Sequence, residues 1–344
     1  MPCEDLAGVD EFGTAFGYPL AHRQPEDGQA HAQDWSADPE CGGSCSGLTF
    51  NSQITSPQQA AEELALNRGA HELRLLGAGV EFLFFSTRVG TRREGYRVPR
   101  ARVFDTVNNP GIQALELQRK ELRLSAWALG HGVPSANPTE LVDQGGYSVL
   151  VTEVIDDDQT PVNQQALGAV LAKMHQVEPL ASEVARCPDI YDYLAQRIGD
   201  RHSRISTDHQ LPALPKPTHL AKVLQRSLHR VSQLHLDIRR QNIRVAAGEP
   251  RALFDWSNAL TAAPELEMAR IREYAQIPEN ALDYMDILAG YRAYGGTIDE
   301  STTAWAVLRL DAALMLAGVF TSVSPNEELA SVFLNRVRIL LQAL

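Results

Sequence analysis

The chain has 344 residues, 44% hydrophobic and 22% charged, the usage of a soluble globular protein with room for about two domains. Lys and Arg number 31 against 43 Asp and Glu, a formal net charge of −12 that excludes the basic surface expected of a nucleic-acid-binding protein. Four cysteines are too few for a disulfide framework, and the acidic N-terminus lacks the apolar run of a secretion signal, so a reduced, cytoplasmic protein without a membrane partner is expected.

The charge is uneven. Residues 1–60 carry a net −8, with Arg23 as their one base, which leaves −4 for the remainder. Residues 1–55 contain few large aliphatics and many Gly, Ser, Asp and Gln. Such a composition cannot offset its own ordering entropy, so an acidic, disordered tail is expected there. Cys3, Cys41 and Cys45 fall in that tail and Cys187 stands alone. The Cys41 and Cys45 pair supplies half of a zinc ligand set with no second half, which favours plain reduced thiols.

Ordered structure is predicted from Ser56, a good N-cap, with Pro57 at the first helical position and Gln59 placed to reach back. That helix should stop near Arg68-Gly69. A three-strand meander follows over 71–76, 80–89 and 96–103, turned first by Gly77-Ala78-Gly79 and then by 90–95. Helical spacing returns over 111–129 and ends at Gly130-His131-Gly132-Val133-Pro134. An apolar, β-branched strand over 147–155 stops at Asp156-Asp157-Asp158, a charge run read as a solvated turn. Helices dominate beyond it: Ala166, Leu167, Val170, Leu171 and Met174 share one face, and further patterns cover 181–198, 218–233, 279–293, 302–320 and 326–343. One β-hairpin interrupts them, over 243–245 and 252–255. The apolar stretch 304–320 is broken by Arg309 and Asp311 and is too short to span a bilayer. The expected class is α+β and bilobal: tail 1–55, β-rich lobe 56–155, helical lobe 156–344.

The chemistry is carried by His235-Leu236-Asp237-Ile238-Arg239-Arg240-Gln241-Asn242, followed by the hairpin and Phe254-Asp255-Trp256. Phosphoryl transfer needs a carboxylate that accepts or orients the proton of the attacking hydroxyl, and oxygen ligands that hold Mg²⁺ against the phosphates. Asp237 suits the first role, and Asn242 with Asp255 the second. The hairpin between those two can aim both side chains into one cleft. A lone His-x-Asp would read as a loop carboxylate capping a helix; the three residues together favour catalysis.

On these residues the sequence resembles the aminoglycoside phosphotransferase and choline kinase family, a branch of the protein-kinase-like fold, whose loop usually reads His-Gly-Asp-Leu-His-Pro-Gly-Asn and later Ile-Asp-Trp. The resemblance runs over roughly residues 70–300. It implies Asp237 as catalytic base, His235 as support of the loop, Asn242 and Asp255 as metal ligands, and ATP (or GTP) with Mg²⁺ as cofactors. Leu76-Gly77-Ala78-Gly79 is similar to the nucleotide loop, so Gly77 and Gly79 would approach phosphate, although a tight hairpin alone would also use them. Arg97 of Tyr96-Arg97-Val98-Pro99-Arg100 takes the place of the phosphate-binding Lys, with Arg100 as the alternative register. Glu121, eleven residues before Gly132, would pair with that base. Thr152-Glu153-Val154-Ile155 matches the hinge, where the backbone around Glu153 would receive adenine. In Pro264-Glu265-Leu266-Glu267-Met268, Glu267 replaces the family's usual Asp.

The acceptor is less determined. Where relatives have His-Pro, this chain has Arg239-Arg240, two cations that would repel a polycation and favour a neutral or anionic acceptor. In the competing view one of them contacts nucleotide phosphate, the role assigned to Arg239, or an acidic residue nearby. The leading reading is a kinase acting on a hydroxyl of a small molecule, a natural product or antibiotic. The alternative is a Ser/Thr kinase for a precursor peptide with a separate lyase partner, compatible with Ser44, Ser46 and Thr49 beside the tail cysteines. A pseudokinase that only binds a partner is the third reading, disfavoured by the intact Asp237, Asn242 and Asp255.

Overall fold

A computed structural model describes residues 56–70, 72–79, 81–105, 110–185 and 189–344. The expected tail with Cys3, Cys41 and Cys45, and the lone Cys187, lie outside the described residues. Helix α1 (Pro57–Asn67) opens as the sequence predicts: the Ser56 hydroxyl accepts the Gln59 N–H at 3.1 Å, and Gly69 leaves the helix at φ +71°. The cap satisfies one of the donors that every helix start leaves without a partner.

The chain then forms β1 (Leu73–Ala78), β2 (Phe82–Val89), β3 (Arg92–Pro99), a small ladder of β4 (Val103–Asp105) and β5 (Pro110–Gln113), helix α2 (Ala114–Gly130), β6 (Pro138–Gln144) and β7 (Tyr147–Glu153). Five strands make one antiparallel sheet in the order β1-β2-β3-β7-β6. The turn foreseen across 90–95 is only Gly90-Thr91, because Arg92 already pairs with Val89. β6 was not foreseen. It begins with Pro138, is rich in polar residues and lies at the sheet edge, where the demand for apolar alternation is weakest.

Side chains alternate across a strand, and here that period decides function. Tyr96 and Val98 of β3, with Tyr147, Val149 and Val151 of β7, bury against Ala60, Ala61 and Leu64 of α1. Arg97 must then face the opposite side, toward α2.

The helical part contains α3 (Gln164–Gln176), α4 (Ala181–Val184), α5 (Ile190–Ser206), α6 (Pro217–Ser227), β8 (Ser232–Leu234), the hairpin β9 (Ile243–Ala246) and β10 (Glu249–Leu253), β11 (Leu260–Ala262), α7 (Pro264–Tyr274), α8 (Tyr284–Ala293), α9 (Thr303–Gly318) and α10 (Glu327–Gln342). β8 pairs with β11. α3 and α8 cross backbone to backbone: a Cβ on Gly168 would fall 2.0 Å from the Ile287 carbonyl, and one on Gly290 2.0 Å from that of Gln165. α9 continues through a π turn (Val319–Val323), giving 21 helical residues. That corrects the expectation of a stretch too short to cross a bilayer. By length and composition it passes, and 67% of its most apolar window is buried within this fold. Its Asp311 is fully buried, held by Arg197 and Arg201 of α5 at 2.7 and 2.6 Å.

Candidate functional site

The segment between β8 and β9 is the loop 235–242, closed by a 3-10 turn (Arg240–Asn242). Asn242 then stands at the foot of the hairpin and Asp255 follows its second strand, with the Phe254 N–H donating to the Asn242 carbonyl at 2.9 Å. The sequence-predicted trio is thereby gathered. Asn242 Nδ2 donates to the Asp237 carbonyl at 3.0 Å and to its carboxylate at 2.6 Å. Asp237 is buried, and its carboxylate also receives Arg239 Nε at 3.2 Å and the Tyr274 hydroxyl at 3.2 Å. Asp255 adopts φ +67°, a left-handed conformation that costs a non-glycine residue energy and recurs at functional sites. Its carboxylate accepts from Ser257 at 2.5 Å and from Arg97 at 3.2 Å.

His235 is fully buried, accepts the Asp237 N–H at Nδ1 (3.2 Å), and lies 4.6 Å from the Trp256 ring, centroid to centroid. Burial pushes its pKa down, against the pull of the Glu267, Asp237 and Asp255 charges. Its ring thus bonds the backbone of the loop at Asp237. Behind it, the Glu267 carboxylate accepts the backbone N–H groups of His235 and Leu236 at 3.1 and 2.7 Å, and contacts His175 Nε2 at 2.7 Å. Burial opposes the Glu267 charge, yet the His175 contact holds its pKa below the ordinary carboxylate value.

Arg97 reaches into the cleft from β3, its guanidinium 3.5 Å from the Phe82 ring centroid and hydrogen-bonded to Gln118 at 2.8 Å. Arg100 instead donates to the Gly79 carbonyl at 2.7 Å. Arg97 thus meets Asp255, whereas Arg100 ties down the glycine turn. Gly79 donates back to the Phe82 carbonyl at 2.8 Å, and a Cβ there would come within 3.3 Å of that oxygen; nothing lies within 4 Å of one on Gly77. Glu121 does not pair with Arg97. It accepts the N–H groups of Asp255 and Trp256 at 3.2 and 2.7 Å, bracing the turn after β10. Burial raises its pKa, against the pull of the nearby Arg97 charge. Glu153 ends β7 at the surface, and both its backbone N–H and its carboxylate are engaged by Asn137, each at 3.1 Å.

The profile of the phosphotransferase enzyme family matches residues 73–309. The chain belongs to that family. No curated protein matches the sequence. Among solved structures, a macrolide 2'-phosphotransferase, MphH from Brachybacterium faecium, is 16% identical with a TM-score of 0.53, over 81% of this chain and 96% of its own. A thermostable variant of the aminoglycoside phosphotransferase APH(4)-Ia, in ternary complex with ADP and hygromycin B, is 15% identical with a TM-score of 0.57, over 82% and 97%. A candidate fructosamine-3-kinase from Haemophilus somnus is 12% identical with a TM-score of 0.58, over 86% and 100%. The fold is that of the kinase-like phosphotransferases.

In this phosphotransferase Arg239 and Arg240 both meet an acidic residue, the second of the two contacts allowed in the competing view. Arg239 is buried against Asp237, and Arg240 forms a two-pronged ion pair with Asp157 at 2.8 Å. Asp156-Asp157-Asp158 is therefore no simple solvated turn, and neither arginine presents an uncompensated charge to an acceptor. Tyr274 was not singled out at all, since a tyrosine ending a helix gives no signal of what its hydroxyl touches.

Asn242 Oδ1 and Asp255 Oδ2 accept no hydrogen bond among the described residues, which leaves one amide and one carboxylate oxygen for a hard cation. Among the described residues no three His, Cys, Asp or Glu are arranged so that they could hold a metal ion. The donor set fits Mg²⁺ completed by phosphate and water, rather than an all-protein cage.

Proposed function

We propose that this phosphotransferase moves the γ-phosphoryl group of ATP to a hydroxyl of a small molecule. The observation that carries the reading is that Asn242 contacts the Asp237 carboxylate while the Phe254 N–H, next to Asp255, bonds the Asn242 carbonyl, with Arg97 reaching the Asp255 carboxylate from the sheet. Asp237 would accept the acceptor's hydroxyl proton as the new oxygen–phosphorus bond forms and the bridging bond to ADP breaks. Arg97 would hold phosphate from the sheet side, its planar fork contacting two oxygens at once. Asn242 and Asp255 would hold Mg²⁺, which neutralises charge on the phosphates.

The kinase-like neighbour with ADP and hygromycin B, and the macrolide 2'-phosphotransferase, support a small-molecule acceptor. With Arg239 and Arg240 both compensated, a cationic acceptor is as acceptable here as a neutral one. The residues that suggested a peptide acceptor lie in the tail, outside the described residues. The test is mass spectrometry for a gain of one phosphoryl group after incubation with MgATP and a panel holding hygromycin B, macrolides and glycated amines. Asp237→Ala should lower turnover by about a thousandfold while MgATP binding persists. Full turnover in that variant would refute the site.

A further inference from the structure

We propose that Tyr274 is a positioning residue for Asp237, the last of three contacts by which one face of α7 sets the catalytic loop; this rests on the phosphotransfer reading above. Glu267, Arg270 and Tyr274 are spaced three and four apart, so they share one helix face. All three are buried. Each grips the loop one step further along. Glu267 accepts the His235 and Leu236 N–H groups, Arg270 donates to the Leu236 carbonyl at 3.0 Å, and the Tyr274 hydroxyl donates to Asp237 Oδ1 at 3.2 Å. About 10 Å of helix, from 267 to 274, is thus matched against three loop residues.

The loop needs such holding. Leu236 sits at φ +63°, a conformation a branched residue avoids, and it is bonded by α7 through both its N–H and its carbonyl. Without those bonds the backbone would relax and carry Asp237 with it. Arg270 is itself anchored, 3.6 Å from Asp311 of α9, so the template is braced from behind. The contact that reaches the reacting carboxylate is Tyr274. Its hydroxyl lies on Oδ1, while Asn242 donates to Oδ2 and Arg239 Nε lies 3.2 Å from Oδ1 and 3.3 Å from Oδ2. Removing it leaves Oδ1 with only the Arg239 Nε contact that Oδ2 shares, so the carboxylate is less firmly oriented. A small displacement of a reacting group is costly in rate and nearly silent in ground-state binding.

The experiment uses the full chain with MgATP and water as the acceptor, scored by ADP release. Tyr274→Phe should lower kcat about tenfold, leave KM for MgATP within about twofold, and leave the melting temperature nearly unchanged. In the Asp237→Asn background the same substitution should leave the residual turnover unaltered, because there is no longer a carboxylate to position. Wild-type kcat in Tyr274→Phe, or an equal tenfold loss in both backgrounds, overturns the proposal while leaving the phosphotransfer reading intact. Absence of both ADP release to water and phosphoryl gain on the acceptor panel with the wild-type protein overturns both.

Discussion

Arg97 and Arg100 lie three residues apart, but Arg97 sits within β3 and Arg100 just past its last residue. Arg97 points to the cleft, stacked on Phe82 and shared between Gln118 and Asp255, with 11% of its side chain exposed. Arg100 spends its guanidinium on a backbone carbonyl of the glycine turn. Charged hydrogen bonds of this kind contribute about 1.5–3 kcal/mol, so losing a phosphate contact should be visible in nucleotide affinity. Arg97→Ala is expected to raise KM for MgATP about tenfold or more, and Arg100→Ala to stay within about threefold. Steady-state kinetics on the two variants decides it; the reverse order would make Arg100 the phosphate-binding residue. Glu121 marks the limit of residue-level reading. Its distance from Gly132 placed it on the right turn of the right helix, but helical spacing does not say which groups a carboxylate meets. Here it meets two backbone N–H groups of the turn carrying Asp255.

At the scale of elements, the hairpin was legible because its turn residues and alternation are local, and from it followed the shared placement of Asn242 and Asp255. β6 was not legible, since an edge strand can be polar and short and needs only a partner to exist. α7 was half legible. Glu267 could be placed by its motif, whereas the bonds of Arg270 and Tyr274 depend on how α7 lies against a loop some thirty residues away in sequence. The burden on α7 predicts a large effect. Glu267→Ala would leave the buried N–H groups of His235 and Leu236 without their acceptor and Leu236 without a clamp. Breaking one side of such a buried charged contact costs about 3–5 kcal/mol, a large share of the roughly 5–15 kcal/mol that holds a protein folded. Urea unfolding should show a loss of that size; a loss under about 1 kcal/mol would mean that the loop holds its own shape.

Over the whole molecule, the net charge of −12 says little about the site, since −8 of it belongs to residues 1–60 and the family match begins at residue 73. What matters is which opposite charges the fold brings together. Asp157, in the connector after β7, takes both prongs of Arg240 from the loop 235–242, and Asp158 accepts the N–H of Ala247 at the tip of the hairpin. The connector is thereby fastened to the segment that carries the chemistry. Sequence could not show this, because Asp157 and Arg240 are 83 positions apart and each alone looks like a solvated charge. Burial works most strongly against the Asp157 charge, but the Arg240 hydrogen bond, the Gln159 N–H and the charges of Arg240 and Arg244 together hold its pKa below the ordinary 3.8. A carboxylate depressed on folding contributes its full stabilisation above its unfolded pKa, and loses it only as the pH falls through the lower folded value. A double-mutant cycle of Asp157→Asn with Arg240→Gln should give a coupling of about 1 kcal/mol, reduced by added salt. Melting-temperature differences between wild type and Asp157→Asn should therefore be the same at pH 5 and pH 8. A difference that fades between those values would assign the effect to a group other than this carboxylate, and the connector would then not be held by the Arg240 pair.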